Sequence, residues 1–221
     1  MKNYAIKGSI TVVLLVALSV ACKDSFLEVA PTGSVGKEQL STKKGLEGAL
    51  ISVYSNLNGR ANRMASATNW VWGSIRGGDA NKGTDPGDFS DINPIQRFEN
   101  LSTQGVINDK YTGTYEGVAR ANAVLQLLAT ATPEVTADDK KRISAEARFL
   151  RGHYYFELKK TFGNTPYVDE TLDYGTGIEK VKNDVDLWPK IEADLKYAYD
   201  NLPETQAAVG RANKWAAASY L

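Results

Sequence analysis

Two tryptophans, Trp70 and Trp72, stand close in the chain to Arg76, Asp79, Asn81, Asp85, Asp88 and Arg97. Flat apolar rings beside planar polar groups suit a sugar: the ring covers the C–H face of a pyranose, while amide, carboxylate and guanidinium groups bond its hydroxyls. Residues two apart on a helix point in different directions, so at most one of the pair is expected to face a ligand while the other packs. The competing reading is that both tryptophans only pack, in a core or under a lid. The candidate glycan-binding set is Trp70, Trp72, Arg76, Asp79 and Asn81.

Other chemistry has less support. Asp79-x-Asn81-x-Gly83 starts like a calcium loop, and Asp85, Asp88 and Asp91 follow, but Ser90 stands where a bidentate Glu would be needed. His153 is the only histidine and Cys22 the only cysteine, too few for a zinc site. His153 also has no nearby Cys and no Ser on a sharp turn, as a hydrolase would need. Acids are plentiful, yet nothing singles out a pair spaced for glycoside hydrolysis. The expectation is a non-enzymatic protein with no catalytic residue, no metal and no cofactor.

Cys22 has a different use. Lys2 and Lys7 make a basic start, the run from Ile10 to Val20 is almost wholly apolar, and Val20-Ala21 precedes the thiol. That is the layout of an export leader, and a Cys directly behind it fits a bacterial lipoprotein whose thiol carries acyl chains. The apolar run is too short to span a hydrocarbon core of ~30 Å at ~1.5 Å per residue. Several acyl chains, at ~0.8 kcal/mol per buried methylene, would hold the mature chain on a membrane surface. The chain carries 26 basic and 26 acidic residues, and losing Lys2 and Lys7 with the leader leaves a small acid excess. A nucleic-acid partner would need a basic face instead. With a single Cys no internal disulfide can form.

The positioning elements read as helices. Residues 1–21 are the leader and 22–37 a polar tether punctuated by Pro31, Gly33 and Gly36, and a helical domain follows over 38–221. Ser41 or Thr42 can cap a first helix with Leu46, Ala49, Leu50, Val53, Tyr54 and Leu57 on one face. Residues 58–104 are rich in Gly, Asn and Asp, with room for a short helix over 66–75. An irregular segment of this length is more often functional than idle.

Tyr111, Tyr115, Val118, Asn122, Leu125 and Ala129 mark a second helix reaching about Thr130. Thr136 with Asp139 resembles a capping box for a third, which carries Ile143, Ala147, Leu150, Tyr154 and Leu158 and stops at Gly163-Asn164. Thr165-Pro166-Tyr167-Val168 reads as extended. A fourth helix spans 187–201, with Asp186 able to cap it, and a fifth starts after Asn213 without a closing signal, which implies that the domain is incomplete at its C-terminus. In that reading Trp215 and Tyr220 have no evident partners.

The third helix also carries a resemblance. Ala145-Glu146-Ala147-Arg148-Phe149-Leu150-Arg151-Gly152-His153-Tyr154-Tyr155-Phe156-Glu157-Leu158, followed by Phe162-Gly163-Asn164-Thr165-Pro166-Tyr167, closely resembles the signature of the SusD/RagB family. Supporting matches occur in the family's order: Tyr115-Glu116-Gly117-Val118-Ala119-Arg120-Ala121-Asn122, then Ile191-Glu192-Ala193-Asp194-Leu195 with Leu202-Pro203, then Gly210-Arg211-Ala212-Asn213-Lys214-Trp215-Ala216-Ala217. Gly152 departs from the usual Ala, at a cost of ~1 kcal/mol in a helix interior.

The resemblance implies an all-α, tetratricopeptide-like α-solenoid of helix pairs with long irregular loops. It further implies an outer-membrane surface lipoprotein that captures a glycan and serves a SusC-like TonB-dependent transporter. The alternative is a helical-repeat assembly subunit that binds protein and no sugar. The signature itself reads as structural, with Phe149, Leu150, Tyr154 and Phe156 filling the core and Arg148 and Arg151 bonding loop carbonyls or Glu146.

Overall fold

The computed structural model describes residues 35–58, 70–173, 175 and 181–221. Cys22, the leader and most of the tether lie outside the described residues, as do 66–69 of the short helix expected over 66–75. Residues 37–221 form one compact unit. Its helices are α1 (Lys37–Leu40), α2 (Lys43–Asn58), α3 (Asn93–Gln96), α4 (Gly105–Ala129), α5 (Ala137–Phe162), α6 (Trp188–Asn201) and α7 (Lys214–Ala218). No strand occurs among the described residues, so 165–168 is extended loop.

The helix starts follow their capping chemistry. Thr42 Oγ1 accepts from the Gly45 N–H at 3.1 Å before α2. At α5 the Thr136 hydroxyl accepts from the Asp139 N–H while the Asp139 side chain accepts from the Thr136 N–H, a complete capping box. Asn213 caps α7 through the Ala216 N–H at 2.9 Å. Gly163 ends α5 at φ 76, in the region where glycine is preferred.

Residue pairings fix the directions of the four long helices. Along α4 and α5, Lys110 meets Glu157 and Asn122 meets Arg151, so the two run antiparallel. Between α2 and α4, Asn56 bonds Gly113 O and Arg120 bonds Ser52 O, again antiparallel. Gly152 lies against Leu195, while Ala145 shares a cluster with Ala198 and Leu202, which makes α5 and α6 antiparallel. This is the expected all-helical stack of pairs. The core is the set of inward stripes, among them Leu46, Leu50, Val53, Val118, Val124, Ile143, Leu150, Tyr154, Leu158, Leu187, Ile191 and Leu195.

Two glycines set helix spacing. A Cβ on Gly117 would fall 2.5 Å from the Tyr154 ring, so the bare backbone of α4 lets that ring cross and Tyr154 donate to Val53 O at 2.7 Å. A Cβ on Gly152 would sit 3.1 Å from Leu195 Cγ, which makes the departure from Ala a way of bringing α6 close.

Several expectations are corrected. The second helix begins at Gly105 rather than near Tyr111. Its first turn is held by Asp91 Oδ2, which accepts from the Gly105 N–H at 3.2 Å, and by Val106 in a satellite cluster with Val71, Ile92 and Ile95. Tyr220 has partners: its hydroxyl lies 2.6 Å from His153 Nδ1, and its ring meets Phe149 and Phe156 edge-on. Trp215 is 54% exposed.

Arg151 does not bond Glu146. It is 2% exposed and forms a bidentate pair with Asp194, Nε to Oδ2 at 2.6 Å and Nη2 to Oδ1 at 2.8 Å. Its Nη1 donates to Asn122 Oδ1 at 2.8 Å and to Glu170. Arg148 pairs with Glu170 and Asp194. Glu146, fully buried, instead accepts from Tyr54 Oη at 2.6 Å and from Arg142 at 2.7 Å, and pairs with Arg211 at 3.3 Å.

Removing one partner of a buried pair strands the other charge. Asp194→Ala is therefore expected to lower unfolding stability by about 3–5 kcal/mol. The double replacement Arg151→Met with Asp194→Leu, which removes both members of the ion pair but leaves Asn122 without its guanidinium donor, should recover part of that loss, as read from urea unfolding curves.

Candidate functional site

The described segment before α4 has a small core of its own, Val71, Ile92 and Ile95 packed with Val106. Val71–Ile75 is a π-helical turn, a rare form that is frequent at functional sites. A 3-10 turn, Ser90–Ile92, leads into α3. Phe89 and Phe98 both sit at positive φ, 44 and 58, a region that costs non-glycine residues of order 1–3 kcal/mol. Both rings are exposed, as is Leu101.

The candidate residues separate. Trp70 is 45% exposed. Trp72 is half-buried, its ring centroid 6.3 Å from that of Phe162 at the end of α5. Arg76 donates through Nη1 to Asn100 Oδ1 at 3.2 Å, and its guanidinium lies 5.0 Å from the centre of the Phe98 ring. Asp79 is exposed, with its N–H on Ser74 O at 2.9 Å. Asn81 Oδ1 is taken by the Gly83 N–H at 2.9 Å.

A cavity of about 220 Å³ lies between the π turn and the last turns of α5, lined by Trp72, Gly73, Arg76, Glu157, Lys160 and Thr161. It brings Trp72 and Arg76 together and leaves out Trp70, Asp79 and Asn81. Glu157, Lys160 and Thr161 were not among the sequence candidates. Lys160 reads in the sequence as a last-turn cation that complements the helix dipole, which gives no sign of a second use.

Glu157 is fully engaged. Its Oε2 accepts from Lys110 Nζ at 2.9 Å and its Oε1 pairs with Lys160 Nζ at 2.6 Å. Burial alone would raise its carboxyl, but Lys110 and Lys160 hold it below the ordinary value. Lys110 is itself fully buried, and burial keeps its ammonium below the usual range against the pull of Glu157. His153, one turn back on α5, is pushed down to about 4 by burial, with Lys110 and Lys160 adding to the effect and Glu157 opposing it.

The acids of the irregular segment do not converge. Among the described residues no group of three His, Cys, Asp or Glu is placed to hold a metal ion. Lys82 Nζ donates to Asp85 O at 2.5 Å and to Asp88 O, so an ammonium already sits among these loop carbonyls.

The helical frame and this site can be set against known proteins. The profile of the SusD-like family described as "Starch-binding associating with outer membrane" matches residues 25–221. The chain belongs to the SusD-like family. It is 28% identical to a SusD-like protein of Bacteroides ovatus over 97% of this chain and 38% of that protein. Among solved structures, a SusD superfamily protein of Bacteroides vulgatus superposes with a TM-score of 0.66 at 26% identity, over 79% of this chain and 37% of the other. Surface glycan-binding protein A from Bacteroides thetaiotaomicron, solved in complex with laminarihexaose, has the same fold, with a TM-score of 0.64 at 22% identity over 80% of this chain and 37% of that one. The SusD-like chain thus spans about two-fifths of the length of the relatives it matches. The family description names binding, not catalysis, and associates its members with the outer membrane.

His153 gives the site region a pH signature. Its folded value of about 4 lies below the ordinary 6.5, so between these values the unfolded SusD-like chain takes up a proton that the folded one refuses. Stability is therefore expected to fall as pH drops from 6.5 towards 4 and to lose nothing from this group above 6.5. Urea unfolding between pH 6.5 and about 5, above most carboxylate titration, should show a steeper slope for the wild type than for His153→Gln.

Proposed function

We propose that this SusD-like protein is a cell-surface lipoprotein, anchored in the outer membrane through Cys22, that binds a polysaccharide or oligosaccharide and passes it to a SusC-like TonB-dependent transporter. The observation that carries the reading is Trp70: a large aromatic ring 45% exposed, one residue before a π-helical turn, on a segment that also presents Arg76, Asp79 and Asn81. An exposed indole offers the C–H face of a sugar a flat apolar surface, and the neighbouring carboxylate, amide and guanidinium suit its hydroxyls. Family membership supports the same reading, as does the laminarihexaose bound by a relative of the same fold.

Trp70 and Trp72 divide the work. Trp70 presents its ring to ligand, and Trp72 supports the wall from its place against Phe162. Affinity electrophoresis through gels containing laminarin, starch or other polysaccharides tests this. Migration of the wild type should be retarded by at least one polymer. Trp70→Ala should weaken the retardation about ten-fold while leaving the thermal melt unchanged, in keeping with ~1–1.5 kcal/mol for a stacked ring. Unchanged affinity in both Trp70→Ala and Trp72→Ala, with folding intact, would refute the proposal.

A further inference from the structure

We infer that the cavity between Trp72 and Lys160 takes an acidic substituent of a glycan, a carboxylate or a sulfate group. The inference rests on the glycan-binding reading above and names the class of sugar that this site prefers.

The lining is rich in donors and nearly void of free acceptors. Its one carboxylate, Glu157, has both oxygens engaged by Lys110 and Lys160. Arg76 and Lys160 line the cavity together with Glu157, whose other oxygen is held from behind by Lys110. Arg76 spends one donor on the neutral amide of Asn100, and no carboxylate among the described residues lies within ion-pair distance of it. Asp79, on the turn that follows, pairs with neither Arg76 nor Lys160. Trp72 Nε1 is buried without a hydrogen-bond partner among the described residues, so it is the apolar part of the indole that walls the cavity.

A sugar hydroxyl both donates and accepts, so a wall of donors satisfies only half of it. Ionised carboxylate and sulfate groups only accept, and a guanidinium beside an ammonium matches them in charge and number of donors. About 220 Å³ exceeds the ~30 Å³ of one liquid water several-fold, enough for such a group and the edge of its ring. Lys159 and Lys160 in the last turn of α5 also offset the negative end of that helix.

The test compares matched polymers on the whole chain by isothermal titration: a polyuronate with its carboxyl-reduced form, a sulfated galactan with its desulfated form, and neutral laminarin. The expected result is binding to an acidic polymer at least about ten-fold tighter than to its neutralised counterpart, weakening as salt is raised. Preference for the polyuronate pair identifies carboxylate as the group, and preference for the galactan pair identifies sulfate. Arg76→Gln and Lys160→Gln, checked for an unchanged thermal melt, should each erase the preference, and Lys160→Gln should do so while leaving any binding of the neutral polymers in place. Equal affinity for acidic and neutral forms, or a preference that survives both substitutions, overturns the anion subsite and leaves the glycan-binding reading standing. Failure to bind any polymer overturns both.

Discussion

The buried guanidinium of Arg151 is the constraint on which the rest of the helical frame depends. Its partners come from three places: Asn122 on α4, Asp194 on α6, and Glu170 in the segment after α5. Apolar stripes alone tolerate sliding of one helix past another, because leucine and isoleucine repack at small cost. A charge taken out of water does not tolerate it. Burial holds the Asp194 carboxyl above its ordinary value even beside Arg151, so a one-turn slip of α6 would take that buried carboxyl away from its guanidinium partner. The pair thus sets register more than it adds stability.

The same logic recurs along α5, whose 26 residues make a beam about 39 Å long at ~1.5 Å per residue. Near its start Glu146 gathers Tyr54 of α2, Arg142 of the preceding turn and Arg211 before α7, and the Tyr54 hydroxyl in turn accepts from the Ala212 N–H at 2.9 Å. Burial and the Glu146 charge push the Tyr54 phenol up, which keeps it a donor to that carboxylate. Near the other end Glu157 binds Lys110 of α4. Between them Tyr155 Oη donates to Val168 O at 2.7 Å and accepts from the Val168 N–H at 2.6 Å, pinning the extended segment that the family signature places after the helix. One wall of the cavity therefore hangs on a helix locked at three points, while the opposite wall is a π turn backed by a small cluster.

What could be read from the sequence follows from this division. The helices around Leu46, Ile143 and Ile191 were legible because their buried faces are apolar at helical spacing, and the capping box at Thr136 and the choice of Ser41 or Thr42 at α2 because capping is local chemistry. The start of α4 was not, since Asn108, Asp109 and Lys110 interrupt the apolar pattern, and Lys110 is buried only because Glu157 lies 47 positions further along the chain. Distance in sequence likewise hid the partners of Arg151 and the contact between Tyr220 and His153. Trp72 and Arg76 were found from residue type alone. Glu157, Lys160 and Thr161 were not, because a charged last turn looks the same whether it faces solvent or a cavity.

A frame of this kind suits relatives that share a fold while their sequences differ. Register fixed by a few buried ions leaves most helix surfaces free to vary, and the irregular segment can change without unlocking the stack. In this chain that segment holds two strained phenylalanines and an exposed tryptophan, and its satellite core consists of Val71, Ile92, Ile95 and Val106. The strain at Phe98 has a visible return, since its ring lies under the Arg76 guanidinium and leaves most of that fork unspent. The proposed anion subsite lies where this segment meets the last turns of α5. The signature helix is present for another reason: it carries Arg151 at the centre of the stack, and its last turns bring Lys160 up to the cavity.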